Sequence, residues 1–516
     1  MKVGTLLTTN AIRYPDKVAL ICGKTRLTFK ELEIRANRLA HGLIQRGIRH
    51  GDRVAVYLPN SAELVWIVCA VLKAGAIVVP ISTRLAEPEI EYIFKHAQPA
   101  AVVFAPSGRD AALLAAAELL ETLLIVTGSP GRGELGHDDL LESGSPEPLP
   151  PLPLEPDDAV IAYTSGTTGR PKGAISTHAN LIIGQGLMTA MEWGLRHDDV
   201  IMTTTPMAHR IGIARICNAL CMGATHVVLP AFRPADAVAV MERERVSVVS
   251  LVPTIVRMLL TEIEKEPQRC ATLRAIVATG EAFPASAKAQ LMALLPGLQI
   301  HSFYSQTEAG LVSSLRPEAQ LTHPLSVGHV VPGVEVRIVD HDLSDVPPGH
   351  CGEILVRCGR PGQASVMRAY YNAPAATAAA FIEGWLRTGD VGRFDDEGYL
   401  YFVDRAKDMI VSGGLNIYSK EVEIVLASHP AVAEVAVVGV ADDMFGEAVM
   451  AFVELAADAS VSAQELVEHC RTVIASYKKP KYIRFVQSFP RSSTGKILKG
   501  ELRLLAKGGC KPETKP

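Results

Sequence analysis

Residues 163–173, YTSGTTGRPKG, set Thr164, Ser165, Thr167 and Thr168 among Gly166, Gly169 and Gly173, with Lys172 beside the last glycine. A stretch of this kind can hold a chain of phosphates. Glycines let backbone N–H groups turn inward, hydroxyls add donors, and the lysine adds a positive charge. The spacing is not that of the Walker pattern, because Lys172 precedes a glycine instead of a serine or threonine. Glycine and hydroxyl clusters also make plain surface loops. The stretch by itself leaves both readings open.

Further candidates follow in order: PMAHRIG at 206–212, GEAFP at 280–284, YSQTEAG at 304–310, GWLRTGD at 384–390, VDRAKD at 403–408 and PRSSTGKILKGELR at 490–503. Each has an ordinary structural use. Glu308 could cap a helix, Asp390 could sit in a turn and Lys496 could be a solvated lysine. Taken together, in this order and at this spacing, the seven stretches resemble the adenylate-forming superfamily, in its acyl-CoA synthetase branch. The resemblance runs from LTFKELEIRANRLAHGL near the N-terminus to the GK of the tail.

The resemblance implies a ligase that joins a carboxylic acid to ATP as an acyl-adenylate, releases pyrophosphate, and passes the acyl group to CoA. A standalone ligase loading a separate carrier protein is the nearest alternative, and an inactive nucleotide-binding regulator a distant one. Thr164, Ser165, Gly166, Thr167, Thr168, Gly169 and Lys172 are then expected around the β- and γ-phosphates, where donors meet developing charge. Glu308 is the expected Mg²⁺ ligand, a hard oxygen for a hard cation. Thr307 is expected at the α-phosphate, with Ser305 and Gln306 beside it, and Tyr304 on adenine. Gly280, Glu281 and Ala282 would border the base. Asp390 would accept the ribose hydroxyls, with Arg405 holding ribose or phosphate. Lys496 is the expected adenylation lysine, a flexible charge that arrives and leaves. Thr164, Glu308, His209 and Lys496 make up the expected catalytic group. Ser412, Gly413 and Gly414 would face CoA, and Lys407 is the expected hinge.

His209, Ile211, Phe303 and Ser305 are expected at the acyl pocket. Phe303 and Ser305 flank Tyr304 where smaller residues are common in the family, which predicts a shortened pocket favouring short, medium or compact cyclic acids. Arg210 could meet a second carboxylate or an aromatic ring, but a surface or interdomain ion pair is the expectation preferred for it. Ser419 stands where proline is frequent, and is expected to be a local turn variation of little consequence.

Elements able to position these residues are visible as periodicity. TFKELEIRANRLAHGLIQRG at 28–47 has helical spacing of apolar residues, with Thr28 and Glu31 set for a capping box. Short aliphatic runs such as RVAVYLP, AAVVFA, THVVLP and LRAIVATG alternate with helical segments, which predicts α/β architecture with mostly parallel sheets. The proline-rich residues 143–158 read as a surface connector. GVEVRIVD, GEILVRC and GYLYFVDR mark a β-rich appendage around 325–404. A small, mobile α+β domain of about one hundred residues is expected to follow. The expected division is a large N-terminal adenylation domain over 1–404, a hinge at 405–406 and a C-terminal lid domain over 407–516.

Composition narrows the function classes. The 516 residues are 48% hydrophobic and 21% charged with net charge −4, so nucleic acid is not an expected partner. AELVWIVCAVLKAGAIVVPI at 62–81 is apolar but interrupted by Glu63, Lys73 and Pro80, so a buried helix and strand are expected instead of a membrane span. The N-terminus lacks the sustained apolar run of a signal peptide. Nine scattered cysteines without C-x-x-C spacing fit reduced thiols in a cytoplasmic protein. The expected partners are a small carboxylic acid, ATP and CoA, and a homodimer is admitted.

Overall fold

The computed structural model describes the chain apart from residues 120, 156, 165–170, 280–282, 413–414, 443, 492–495 and 508–516. Helices and short strands alternate through its first three hundred residues, as the periodicity predicts. The chain divides into two compact units: residues 1–336, 355–388 and 397–400 form one, and residues 337–354, 389–396 and 401–516 the other.

The larger unit carries two sheets. One has nine strands in the order His329–Val330, Gly310–Leu315, Gln299–Gln306, Ala275–Ala278, Val248–Leu251, Val200–Thr203, Thr225–Val228, Val18–Cys22 and Thr25–Thr28. Its interior pairings are parallel, from Gln299–Gln306 through Val18–Cys22, and the pairings outside that run are antiparallel. The other sheet has seven strands, mostly parallel, and ends in the antiparallel pair Asp158–Thr164 and Lys172–Thr177. Parallel strands are covered on both faces, which is why runs such as Ile77–Pro80 and Ala101–Phe104 are buried at every position.

Local chemistry sets the helix boundaries. Thr28 and Glu31 form the expected capping box at the start of the helix Phe29–Gln45. The apolar stretch at 62–81 resolves into the helix Ala62–Lys73 and the strand Ile77–Pro80. Lys73, near the helix end, is buried and pairs with Glu33 at 2.7 Å. No helix among the described residues is long and apolar enough to cross a membrane. The described part of 144–157 has no helix or strand, in keeping with a connector.

The smaller unit is α+β. Strands Ile410–Ser412, Leu415–Ile417, Val432–Asp442, Gly446–Leu455 and Tyr482–Phe485 form one sheet. Helices Ser419–Ala427 and Ala463–Val473 bury Val422, Leu426, Leu466 and Cys470 in the core that this sheet shares.

Candidate active site

Glu308 lies in the turn between two long antiparallel strands, Gln299–Gln306 and Gly310–Leu315. Gly310 follows the turn at φ +70°, and a Cβ there would fall on the Ser365 hydroxyl. The turn is therefore closed by a residue that only glycine can supply at no steric cost. The amide of Met367 donates to the Glu308 carbonyl at 2.7 Å and pins the turn from a third segment.

Thr164 and Lys172 are cross-strand partners at the tips of Asp158–Thr164 and Lys172–Thr177. That register fixes the two ends of the glycine-rich stretch. Residues Ser165, Gly166, Thr167, Thr168 and Gly169 between them lie outside the described residues. The Thr164 hydroxyl donates to Glu308 Oε1 at 3.1 Å, across 144 positions of sequence. Tyr370 donates to the same oxygen at 3.1 Å. The Lys172 ammonium stands 5.2 Å from the centre of the Tyr370 ring. Burial pushes the Tyr370 phenol up, and the neighbouring Glu308 carboxylate adds to the shift, so the phenol stays protonated as a donor. Tyr370 has no part in the sequence reading. It sits in RAYYN, where neither spacing nor residue type marks it, and the bridge between Ala174 and Tyr370, flanked by backbone hydrogen bonds of Arg368, Ala369 and Tyr371 to Ile175 and Gly173, brings it to the site.

Arg210 differs from expectation. It opens the helix Arg210–Met222, is buried, and donates through Nη1 to the Gln306 carbonyl at 2.9 Å, with a longer approach of Nη2 to the Ser365 carbonyl at 3.5 Å. Among the described residues it forms no ion pair. Burial pushes its guanidinium down to about 10, while Glu308 pulls the other way. Gln306 in turn donates to the Thr388 carbonyl at 3.1 Å. His209 takes the N-cap position of the same helix, and Ile211 lies in its first turn, both partly buried.

Phe303 and Tyr304 are buried on the strand Gln299–Gln306. The Phe303 ring packs against Trp193 at 4.9 Å. Ser305 and Thr307 are partly buried, and the Ser305 hydroxyl is 3.5 Å from that of Thr279. Gly280, Glu281 and Ala282 lie outside the described residues.

In the smaller unit Asp390 is 1% exposed, and Arg405 Nε meets its Oδ1 at 2.9 Å. Lys407 is exposed in the single turn Ala406–Asp408, whose Asp408 carboxylate accepts from Arg503 at 2.8 Å. Ser412 ends the strand Ile410–Ser412, and Gly413 and Gly414 lie outside the described residues. Lys496 is exposed. Ser419 is more than a turn variation. Its hydroxyl is fully buried, donates to Asp404 Oδ2 at 2.7 Å and accepts from Lys499 at 2.6 Å. Proline at this position would remove that link.

The residues present fit a magnesium–nucleotide complex. Among the described residues no three His, Cys, Asp or Glu side chains gather to hold a metal by themselves. Mg²⁺ is commonly held by one or two carboxylates together with substrate phosphates, and Glu308 beside Lys172 and Thr164 offers that arrangement.

The profile described as AMP-binding enzyme matches residues 7–371, and the one described as AMP-binding enzyme C-terminal domain matches 421–496. A feruloyl-CoA synthase from Amycolatopsis is 35% identical over 493 residues, covering 95% of this chain and 96% of the relative. The long-chain-fatty-acid–CoA ligase FadD13 of Mycobacterium tuberculosis is 33% identical, covering 97% and 98%. Among solved structures, ATP-bound MatB from Rhodopseudomonas palustris superposes with a TM-score of 0.89 at 30% identity, covering 98% of this chain and 99% of that one. The o-succinylbenzoate CoA synthetase of Bacillus subtilis, in complex with its acyl-adenylate intermediate, gives 0.86 at 30% identity, covering 99% of each.

Proposed function

The chain belongs to the AMP-binding enzymes, and on that premise we infer that it is an ATP-dependent carboxylic acid–CoA ligase working through an acyl-AMP intermediate. The observation that carries this reading is the meeting of Thr164 and Tyr370 on one oxygen of Glu308, with Lys172 beside them. Two donors and a cation around one carboxylate orient an anionic ligand and its counterion. Lys172 and the Thr164 hydroxyl would bind phosphate oxygens, and Glu308 would hold Mg²⁺. The ion, when bound, neutralises charge on the phosphates during adenylyl transfer.

Asp390 and Arg405 are the proposed ribose pair, and Lys496 the proposed adenylation lysine. Lys407 is the proposed hinge of a domain reorientation that separates adenylation from thioester formation, with the boundary at 404–407. His209, Ile211, Phe303 and Ser305 are the proposed acyl-pocket residues, and Ser412 with its two following glycines the proposed CoA contact. The reducing cytoplasm is the proposed compartment, supported by eight described cysteines that are all unpaired. A homodimer is tested by light scattering.

ATP–pyrophosphate exchange with a panel of carboxylic acids, followed by thioester assay with and without CoA, tests the function. The expected result is acid-dependent exchange without CoA and thioester only with it. Thioester formation on a carrier protein but not on CoA would replace the CoA reading. Absence of exchange with every acid, alongside tight ATP binding, would replace ligation by nucleotide sensing.

A further inference from the structure

Arg215 lies five residues beyond Arg210 on the helix Arg210–Met222, about 7–8 Å further along its axis. It is 2% exposed. Its guanidinium carbon stands 4.4 Å from the centre of the Trp193 ring, and Trp193 packs against Phe303. Among the described residues, Arg215 Nε has no hydrogen-bond partner, and no carboxylate acts on the charge. Burial pushes the guanidinium down to about 9, and the thiol of Cys217 is the group that opposes the shift.

A buried arginine with no anion is costly, because its desolvation is not offset by a partner charge. The aromatic face of Trp193 compensates in part. The surroundings do not supply the rest. Trp193 Nε1 is a buried donor without an acceptor among the described residues, and so is the hydroxyl of Ser314, the residue paired with Phe303 on the next strand. His226 Nδ1 is likewise without a partner, while its Nε2 lies 2.8 Å from the Thr203 hydroxyl. Burial, and then the charge of Arg215, push His226 down to about 3, so the imidazole stays neutral. The group is rich in donors and poor in acceptors, and its cation has no counter-charge among the described residues. Phe303, which anchors it, is adjacent to Tyr304 and five residues before Glu308.

We propose that Arg215 receives a second carboxylate of the acyl substrate, so that the preferred acids are dicarboxylic, one carboxylate being activated and the other paired with Arg215 beside Trp193. This rests on the ligase reading and on Phe303 bordering the acyl group. A bidentate guanidinium–carboxylate pair needs both charges desolvated and the fork pre-positioned. The Trp193 face holds the guanidinium plane, and the unpartnered donors around it await oxygen acceptors. Arg215 is thus a specificity residue. It has no role in moving the adenylyl group.

The test compares acids of matched length on the full chain: hexanoate with adipate, octanoate with suberate, and 3-phenylpropanoate with 3-(4-carboxyphenyl)propanoate. ATP–pyrophosphate exchange reads turnover, and calorimetric titration of the same acids reads binding without it. In the unaltered protein at least one dicarboxylate is expected to exceed its monocarboxylate by tenfold or more in kcat/KM, carried by KM and matched in Kd. Arg215→Met should collapse that ratio by at least tenfold, and Arg215→Lys should restore part of it. Arg215→Met should also keep or raise Tm, since it removes an unpaired buried charge. A Tm loss with an unchanged ratio would make Arg215 a structural residue and overturn the proposal, as would monocarboxylate preference in every pair. Arg215-dependent dicarboxylate binding without exchange would sink the ligase reading, and with it the activation of the other carboxylate, and leave only the Arg215–carboxylate pair standing. Exchange indifferent to Arg215 would do the reverse.

Discussion

The phenol of Tyr370 and the carboxylate of Glu308 meet at 3.1 Å although 62 residues separate them in the chain. The bond is charge-assisted and partly buried, a class that contributes about 1.5–3 kcal/mol. It also holds the oxygen that Thr164 approaches from the other side.

Tyr370→Phe removes that donor while keeping the ring over which Lys172 sits. ATP–pyrophosphate exchange is expected to fall about tenfold, with an altered dependence on magnesium concentration and little change in Tm. Initial rates across a magnesium titration check this. An unchanged rate and magnesium profile would confine Tyr370 to packing.

Lys496→Ala should remove most adenylation while leaving thioester formation from supplied acyl-AMP largely intact. Lys407→Pro should spare adenylation and impair the thioester step, because proline restricts the backbone of the turn Ala406–Asp408. Separate assays of the two half-reactions decide both. Equal slowing of both steps in Lys496→Ala would make that lysine structural.

Asp390→Asn leaves Arg405 without its carboxylate. Arg405 is 45% exposed, so solvent takes up much of the loss and the stability cost stays near 1 kcal/mol. The expected functional effect is larger, a rise in KM for ATP of tenfold or more. Steady-state kinetics over ATP concentration, beside a melting curve, separates the two effects.

Phe303→Ala opens a cavity beside Trp193 and should cost about 3–5 kcal/mol in stability. Relative kcat/KM should shift toward larger acids. Measured across acetate, hexanoate, benzoate and palmitate, the unaltered protein is expected to disfavour palmitate. Palmitate as its best substrate would show that Phe303 does not limit the acyl group.

Acid should destabilise the larger unit through buried histidines. Burial pushes His178 to about 4, His226 to about 3 and His301 to about 4. Unfolded histidine titrates near ~6.5. Below that pH the unfolded chain binds protons that the folded chain refuses, so stability falls as pH is lowered, by up to about 4 kcal/mol per pH unit. The fall levels off once the folded groups titrate. Melting temperatures from pH 7.5 to 4.5 check the direction, and a flat profile would contradict it.

The sequence by itself determined the α/β alternation, the capping box at Thr28, the burial of the stretch at 62–81 and the family. These follow from spacing of apolar residues and from short motifs, both local along the chain. It also marked Thr164, Lys172 and Glu308 as a group, because the motifs that carry them keep a fixed order. What the tertiary structure alone decided is which side chains share a neighbourhood. Tyr370 reaches Glu308 through an isolated bridge from a segment without periodicity. Arg210 finds backbone carbonyls at Gln306 and Ser365 where charge alone suggested an ion pair. Ser419 joins Asp404 to Lys499 where a variant turn residue was expected. Arg215 is placed in the interior with an indole for company and, among the described residues, no acid. Residue type tells what a side chain can bond. Which partner it meets depends on strand register and helix packing, which bring together residues distant in sequence.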